Sequence, residues 1–472
     1  MILALDQGTT STRALIVDAG GVARTLLARA HRQIYPRPGW VEHDPEELIA
    51  NLSACIAAAG AEAPLAAGLA NQGESCLAWE AGTGRPVSPV IVWQDARTEG
   101  TCARLRAEGT EALTLAAAGL PLDPYFSASK LGWLLRDLPE ARALAAAGRL
   151  RLGTTDAFFL ERLTGRCVTD ITTASRTSLM NLERGEWDAD LCALFGVPME
   201  CLPQIVPSLG DFGTLPGRLP LTASLVDQQA ALYGHGCRAP GDAKITFGTG
   251  AFALAVTGAL LRPGSGPLPT VAWQKPGAAP VHALEGGVYC ASSAVNWARG
   301  LGLFSEFQEI ADFAAPPAID RSLAFVPALS GLACPHWNRT ARGAWLGLSL
   351  DTSSADMMQA LLEGVALRSA EVIAAMDRAQ PVGAPVSIDG GMSANGYFCQ
   401  FLADVLTRDV IVSDEPELTA VGIAALAAEA AGAQITPRRS GRTVTPRPDA
   451  AALLPARRAR FAAARAAVES YA

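Results

Sequence analysis

The sequence predicts an α/β protein made of two related halves, and three observations carry that prediction. Residues 2–5, 13–17 and the apolar run after Gly21 alternate strand-like stretches with turn residues, the pattern of a β-meander. The same opening returns at 244–256, where one apolar stretch, the turn Gly248-Thr249-Gly250 and a second apolar stretch follow one another. The chain of 472 residues has room for two or three domains, and a composition that is 50% hydrophobic and 18% charged can fill large cores.

The elements follow in order. Asp44 is placed as a helix N-cap, with Pro45 at the first helical position and Glu47 at the third; Leu48, Leu52, Cys55 and Ile56 then fall on one face. Residues 68–72 and 89–93 read as further strands. The Gly- and Pro-containing stretch 234–242 separates the halves and divides the chain into domains 1–236 and 237–472. Downstream, 355–378 and 394–407 have amphipathic helical spacing, and 419–431 reads as a helix of small residues packed close to its neighbours. The Arg-, Ala- and Pro-rich segment 437–472 is expected to be peripheral.

Composition excludes several function classes. The 10 cysteines include no C-x-x-C pair and the 5 histidines no metal-ligand cluster, which fits reduced buried thiols and no structural transition metal. A net charge of −8 offers no basic field to nucleic acid or anionic lipid. The longest uncharged runs, 245–261 and 322–338, are broken by Gly or Pro, so no membrane span is expected. A chain that opens directly on a strand-like run is read as soluble and cytoplasmic. Any phosphate must then be held by local N–H groups and bound metal.

Four segments bring chemistry. The stretch from Asp6 to Arg13 (DQGTTSTR) puts a glycine, the hydroxyls of Thr9, Thr10 and Ser11 among others, and a guanidinium between two strands, where backbone N–H groups can converge on an anion. A plain polar hairpin would read the same way; the echo at Gly248-Thr249-Gly250 tips the balance toward two turns clamping one nucleotide's phosphates. Asp6 would then face a Mg²⁺ through water. Asp227 stands at the end of a strand and the start of a helix, placed either to cap that helix or to take a proton from a substrate hydroxyl. The strand–Gly390-Gly391–helix stretch, with Asn395 after it, would let a nucleotide base or ribose approach bare backbone.

Together these residues resemble the FGGY family of carbohydrate kinases, and within it the glycerol kinase branch. The resemblance runs from Ile2 to about residue 432 and rests on LDQGTTSTRA (5–14), IYPRPGWVEHDPEE (34–47), IVWQDART (91–98), LDPYFSASKLGWLL (122–135), DQQAALYG (227–234), FGTGAF (247–252), HALEGGVY (282–289) and IDGGMSAN (388–395). It implies two actin-like, hexokinase-like (ribonuclease H-like) ATPase domains with a cleft between them, and ATP- and Mg²⁺-dependent phosphorylation of a small polyol, glycerol first. By matching position, Thr9, Thr10, Ser11, Arg13 and Thr249 would meet the nucleotide phosphates, with Gly391 and Asn395 near the adenosine and Asp6 near the metal. Glu74, Tyr125, Asp227, Gln228 and Phe252 would line the polyol site, with Asp227 as catalytic base. A homodimer and a homotetramer are both open.

Three departures stand out. Where the glycerol kinases have Asn-Gln-Arg-Glu, this chain has Asn71-Gln72-Gly73-Glu74, so the arginine that reaches the glycerol hydroxyls is absent. A longer polyol or a ketose becomes a rival substrate, unless a nearby arginine such as Arg97 compensates. Ser292 and Asn296 stand where the family usually has a Gly and a Gln near the nucleotide, and Asp137 departs at a position expected on the surface. A non-catalytic nucleotide-binding regulator is the rival from another class, since one fold hosts many functions.

Overall fold

The computed structural model describes residues 1–264, 266–437 and 440–471. Ile2–Gln7, Ser11–Val17 and Ala23–Ala30 form the expected antiparallel meander. Ile2–Gln7 also pairs in parallel with Ala67–Asn71, which pairs in parallel with Leu219–Val226. The second sheet repeats this plan. Ala243–Phe247, Ala251–Gly258 and Val281–Val288 run antiparallel in succession, while Ala243–Phe247 pairs in parallel with Val386–Gly390 and that strand with Val410–Ser413. The second sheet extends further, with Leu268–Trp273 at one end and Gly441–Val444 at the other.

Every residue of Ile2–Gln7 and Ala67–Asn71 is buried, as parallel strands covered on both faces require. Register then aligns the exits from the first sheet: Gln7 pairs with Asn71 and Asn71 with Val226. Gly8, Gln72 and Asp227 therefore leave it at one level, on the carboxyl side where α/β sheets gather their ligands. In the second sheet Phe247 pairs with Gly390, so the turns beginning at Gly248 and Gly391 emerge together. A Cβ on Gly390 would lie 2.3 Å from the Phe247 carbonyl oxygen, and its φ of 90° suits glycine.

Pro45–Ala58 is a helix capped by the Asp44 carboxylate, which accepts from the Glu46 N–H, and Leu48, Leu52, Cys55 and Ile56 are buried as expected. Ser354–Ala379, Gly396–Leu406 and Leu418–Ala430 match the three helices read downstream. Leu418–Ala430 packs against the first sheet, where a Cβ on Gly68 would lie 2.7 Å from Ile423 Cγ1. One apolar cluster accordingly draws Ala4, Leu225, Leu254 and Leu426 together from both sheets and this helix.

The segment 437–472 is less peripheral than expected. Gly441–Val444 joins the second sheet, and Ala450–Tyr471 is a helix. Arg457, Phe461, Ala464 and Val468 are buried on one of its faces, and Arg457 forms a forked ion pair with Asp320. All ten cysteines are free thiols, and Asp137 is at the surface. Among the described residues no helix is long and apolar enough to cross a membrane.

Candidate active site

The strand exits of both sheets open onto one cavity of about 490 Å³. Thr9, Glu74, Tyr125, Asp227 and Gln228 line it from the first half, and Thr249 and Phe252 from the second. Both glycine–threonine turns therefore border the same space. The Thr9 carbonyl accepts from His31 Nε2 and Gln33 Nε2, each at 2.8 Å, and its hydroxyl accepts from Trp93 Nε1 at 3.0 Å. The Thr249 carbonyl accepts from the N–H groups of Ala291 and Ser293, which ties that turn to the start of the helix Ser292–Gly300. Gly250 is sterically required, because a Cβ there would lie 2.7 Å from the Val288 carbonyl oxygen.

Asp227 opens the helix Asp227–Gly234, and the N-cap position belongs to Val226, so capping does not account for the aspartate. Its Oδ1 accepts from the Gln228 N–H at 2.7 Å. Enclosure by the cleft, and then the charges of Asp6 and Glu74, push its carboxyl up to about 7. A base held there is matched to neutral pH. Lys244 opposes the shift; its Nζ donates to Gln228 Oε1 at 2.6 Å and to Thr246 Oγ1 at 2.9 Å, which fixes Gln228 beside Asp227.

Glu74 sits at φ 59°, a left-handed conformation that costs a non-glycine residue energy and concentrates at functional sites. Its backbone carbonyl accepts from Ser127 Oγ at 3.0 Å, and its side chain accepts from Arg176 Nε at 2.7 Å. Arg176 follows the short helix Ile171–Ala174, whose N-cap Asp170 binds the N–H groups of Thr172 and Thr173 and the Ser208 hydroxyl. Its Nη2 donates to Glu285 Oε1 at 2.9 Å, on the strand Val281–Val288 of the other half. The guanidinium carbon lies 5.7 Å from the Tyr125 ring centre and 5.4 Å from that of Phe126.

Other candidates lie outside the cavity wall. Arg13 bridges Asp6 at 2.6 Å and Glu417 at 2.8 Å, while Thr10 and Ser11 continue the hairpin beyond Thr9. Ser292 donates to the Phe247 carbonyl at 3.4 Å, and a Cβ on Gly391 would lie 3.7 Å from its hydroxyl, so these two adjoin. Asn296 is exposed one turn further along. Asn395 caps Gly396–Leu406 through the Phe398 N–H and donates to the Ile310 carbonyl at 2.7 Å. Arg97 does not compensate for the missing arginine: it is spent on Asp95 and Glu42 and wedged between Trp40 and Trp133.

Sequence reasoning missed Arg176, Lys244 and Glu285. Glu285 fell within a recognised motif without a role, and the acidic partners of Arg176 are 102 and 109 residues away. Among the described residues no cluster of three or more His, Cys, Asp or Glu side chains could hold a metal. Asp6 is ion-paired with Arg13, so these residues fit a Mg²⁺ held through water rather than by direct carboxylate ligands.

Residues 1–234 match the N-terminal domain of the FGGY family of carbohydrate kinases and residues 243–431 its C-terminal domain. The chain is 46% identical over 440 residues to a glycerol kinase of Thermus brockianus, covering 90% of this chain and 88% of that protein. It is 43% identical over 443 residues to one of Aromatoleum aromaticum, with 90% and 89% covered. The crystal structure of Plasmodium falciparum glycerol kinase with ADP superposes with a TM-score of 0.90 at 29% identity, covering 99% of this chain and 97% of that one. A xylulose kinase from Rhodospirillum rubrum gives 0.86 at 25% identity, with 99% of each covered.

Proposed function

The chain belongs to the FGGY family of carbohydrate kinases, and on that premise we propose that it transfers the γ-phosphoryl group of ATP to a terminal hydroxyl of glycerol, giving glycerol 3-phosphate. The observation that carries this reading is Asp227, a carboxylate tuned to about 7 on the wall of a cavity that both glycine–threonine turns border. A phosphate-binding module alone has no need of such a base.

In this reading Asp227 takes the hydroxyl proton as the phosphoryl group transfers in line. Glu74 and Tyr125 bind the remaining hydroxyls, Gln228 is oriented by Lys244, and Phe252 packs on the carbon chain. Thr9, Thr10, Ser11, Arg13 and Thr249 receive the phosphates, while Ser292, Asn296, Gly391 and Asn395 border the adenosine. Asp6 would hold a Mg²⁺ through water, and the metal would supply positive charge to the phosphates. The halves divide near 234–242, and their closure on the polyol excludes the water that would otherwise hydrolyse ATP. The free thiols suit a reducing cytoplasm. Gly73 keeps a longer polyol or ketose as the second reading, because no side chain fills the cleft at that position.

Steady-state ATP turnover with Mg²⁺ against glycerol, erythritol, xylitol, ribitol, dihydroxyacetone, xylulose and ribulose tests both. The highest kcat/KM is expected for glycerol. A clear preference for a five-carbon substrate selects the second reading, and nucleotide binding without product from any of them rejects a kinase.

A further inference from the structure

We propose that Arg176 is the hydroxyl-gripping arginine of this site, a specificity-determining contact delivered from a different segment than position 73. The inference rests on the polyol kinase reading above. Two of the three guanidinium nitrogens are committed, Nε to Glu74 and Nη2 to Glu285, while Nη1 is buried and makes no hydrogen bond of good geometry, with the Tyr125 side chain as the guanidinium's other polar neighbour. A buried N–H left unpaired costs free energy, and an acceptor brought by a ligand removes that cost.

The position suits this role. Arg176 lines the same cavity as Gly73, Glu74, Tyr125 and Asp227, and its side chain is only 1% exposed. Two carboxylates and two aromatic rings hold the fork, so little side-chain entropy is lost on binding. Nη1 is closed to water, so a substrate hydroxyl reaches it only as the cleft rearranges around the polyol. Position 73 is a poor place for a competing side chain, because a Cβ there would already press on Val226 Cγ1 at 3.1 Å. Arg97, which the sequence offered as a substitute donor, is engaged with Asp95 and Glu42.

The test compares the parent enzyme with Arg176→Lys and Gly73→Arg in full-length protein. Arg176→Lys keeps the charge but loses the fork; it is expected to raise KM for glycerol roughly 10- to 100-fold while KM for ATP stays within about twofold. A folded Arg176→Lys enzyme whose glycerol KM is unchanged, or which loses only kcat, overturns the assignment. Where the lysine variant fails to fold, Arg176→Gln, which keeps N–H donors without the charge, takes its place and is read in the same way. A gain of tenfold or more in glycerol kcat/KM from Gly73→Arg, reached despite the crowding against Val226, shows that the donor was missing and overturns the proposal. A parent enzyme that phosphorylates no polyol defeats the kinase reading and this inference together, whereas normal parental turnover with insensitive variants defeats only the role of Arg176.

Discussion

Gly234 and Gly422 meet where two helices cross with no side chain between them. A Cβ on Gly422 would lie 1.8 Å from the Ala230 carbonyl oxygen, and one on Gly234 would lie 1.9 Å from that of Leu418. The helix that begins with Asp227 is thus seated directly on the backbone of Leu418–Ala430, a helix contributed by the far end of the chain. Asp227, the proposed base, therefore heads a helix that this contact seats.

Gly422→Ala tests that seating. The methyl group forces the helices apart, and overpacking of this kind costs about 1–3 kcal/mol. A lower Tm is expected, together with a fall in kcat as Asp227 moves away from the polyol. An alanine variant with parental Tm and kcat would show that the crossing tolerates displacement.

Asp227→Asn separates chemistry from stability. Loss of the base is expected to lower kcat by about 100-fold or more. Folding raises this carboxyl from 3.8 to about 7, so the folded protein holds a proton that the unfolded chain releases, and the aspartate costs stability increasingly from about pH 4 to about pH 7. The asparagine variant should therefore have the higher Tm at pH 8, with a smaller margin at pH 5. Equal Tm values at both pH values would remove the buried-charge account.

The pH profile of kcat/KM for glycerol should rise through about pH 7, since only the ionised base accepts the proton. Asp6 pushes that value up, so Asp6→Asn should move the limb to lower pH whatever it does to the absolute rate. A limb that stays in place, or moves up, contradicts the coupling of these two carboxylates.

Lys244 acts in the opposite direction, because its charge lowers the Asp227 value and its ammonium holds Gln228. Lys244→Met is expected to shift the limb upward and to raise KM for the polyol. Activity lost at pH 7 should then be partly recovered at pH 9. A uniform loss across the pH range would mean that the lysine serves packing alone.

What the sequence made legible was local. The two strand–turn–strand units and the capped helix Pro45–Ala58 are each specified by residues a few positions apart, and they fold as read. Asp227 was found because its strand, its acid and its helix are contiguous. Arg176 was not, since Glu74 and Glu285 approach it only after the chain has built parts of both halves. Arg97 illustrates the same limit in reverse: close in sequence to the site, it turns instead to Glu42, Trp40 and Trp133. In the last helix, abundant Ala and Arg masked the spacing of Arg457, Phe461, Ala464 and Val468 that buries one face.

Gly441–Val444 gives that last segment a second consequence. It pairs along the whole of Val410–Ser413, so the backbone N–H and C=O groups of that strand are already engaged within the molecule. A chain cut at residue 437 would present them instead as an open template on which another copy could pair. The tail thus moves the open edge of the sheet outward to a four-residue strand and packs Phe461, Ala464 and Val468 into the core, and trimming it at residue 437 should lower both Tm and solubility.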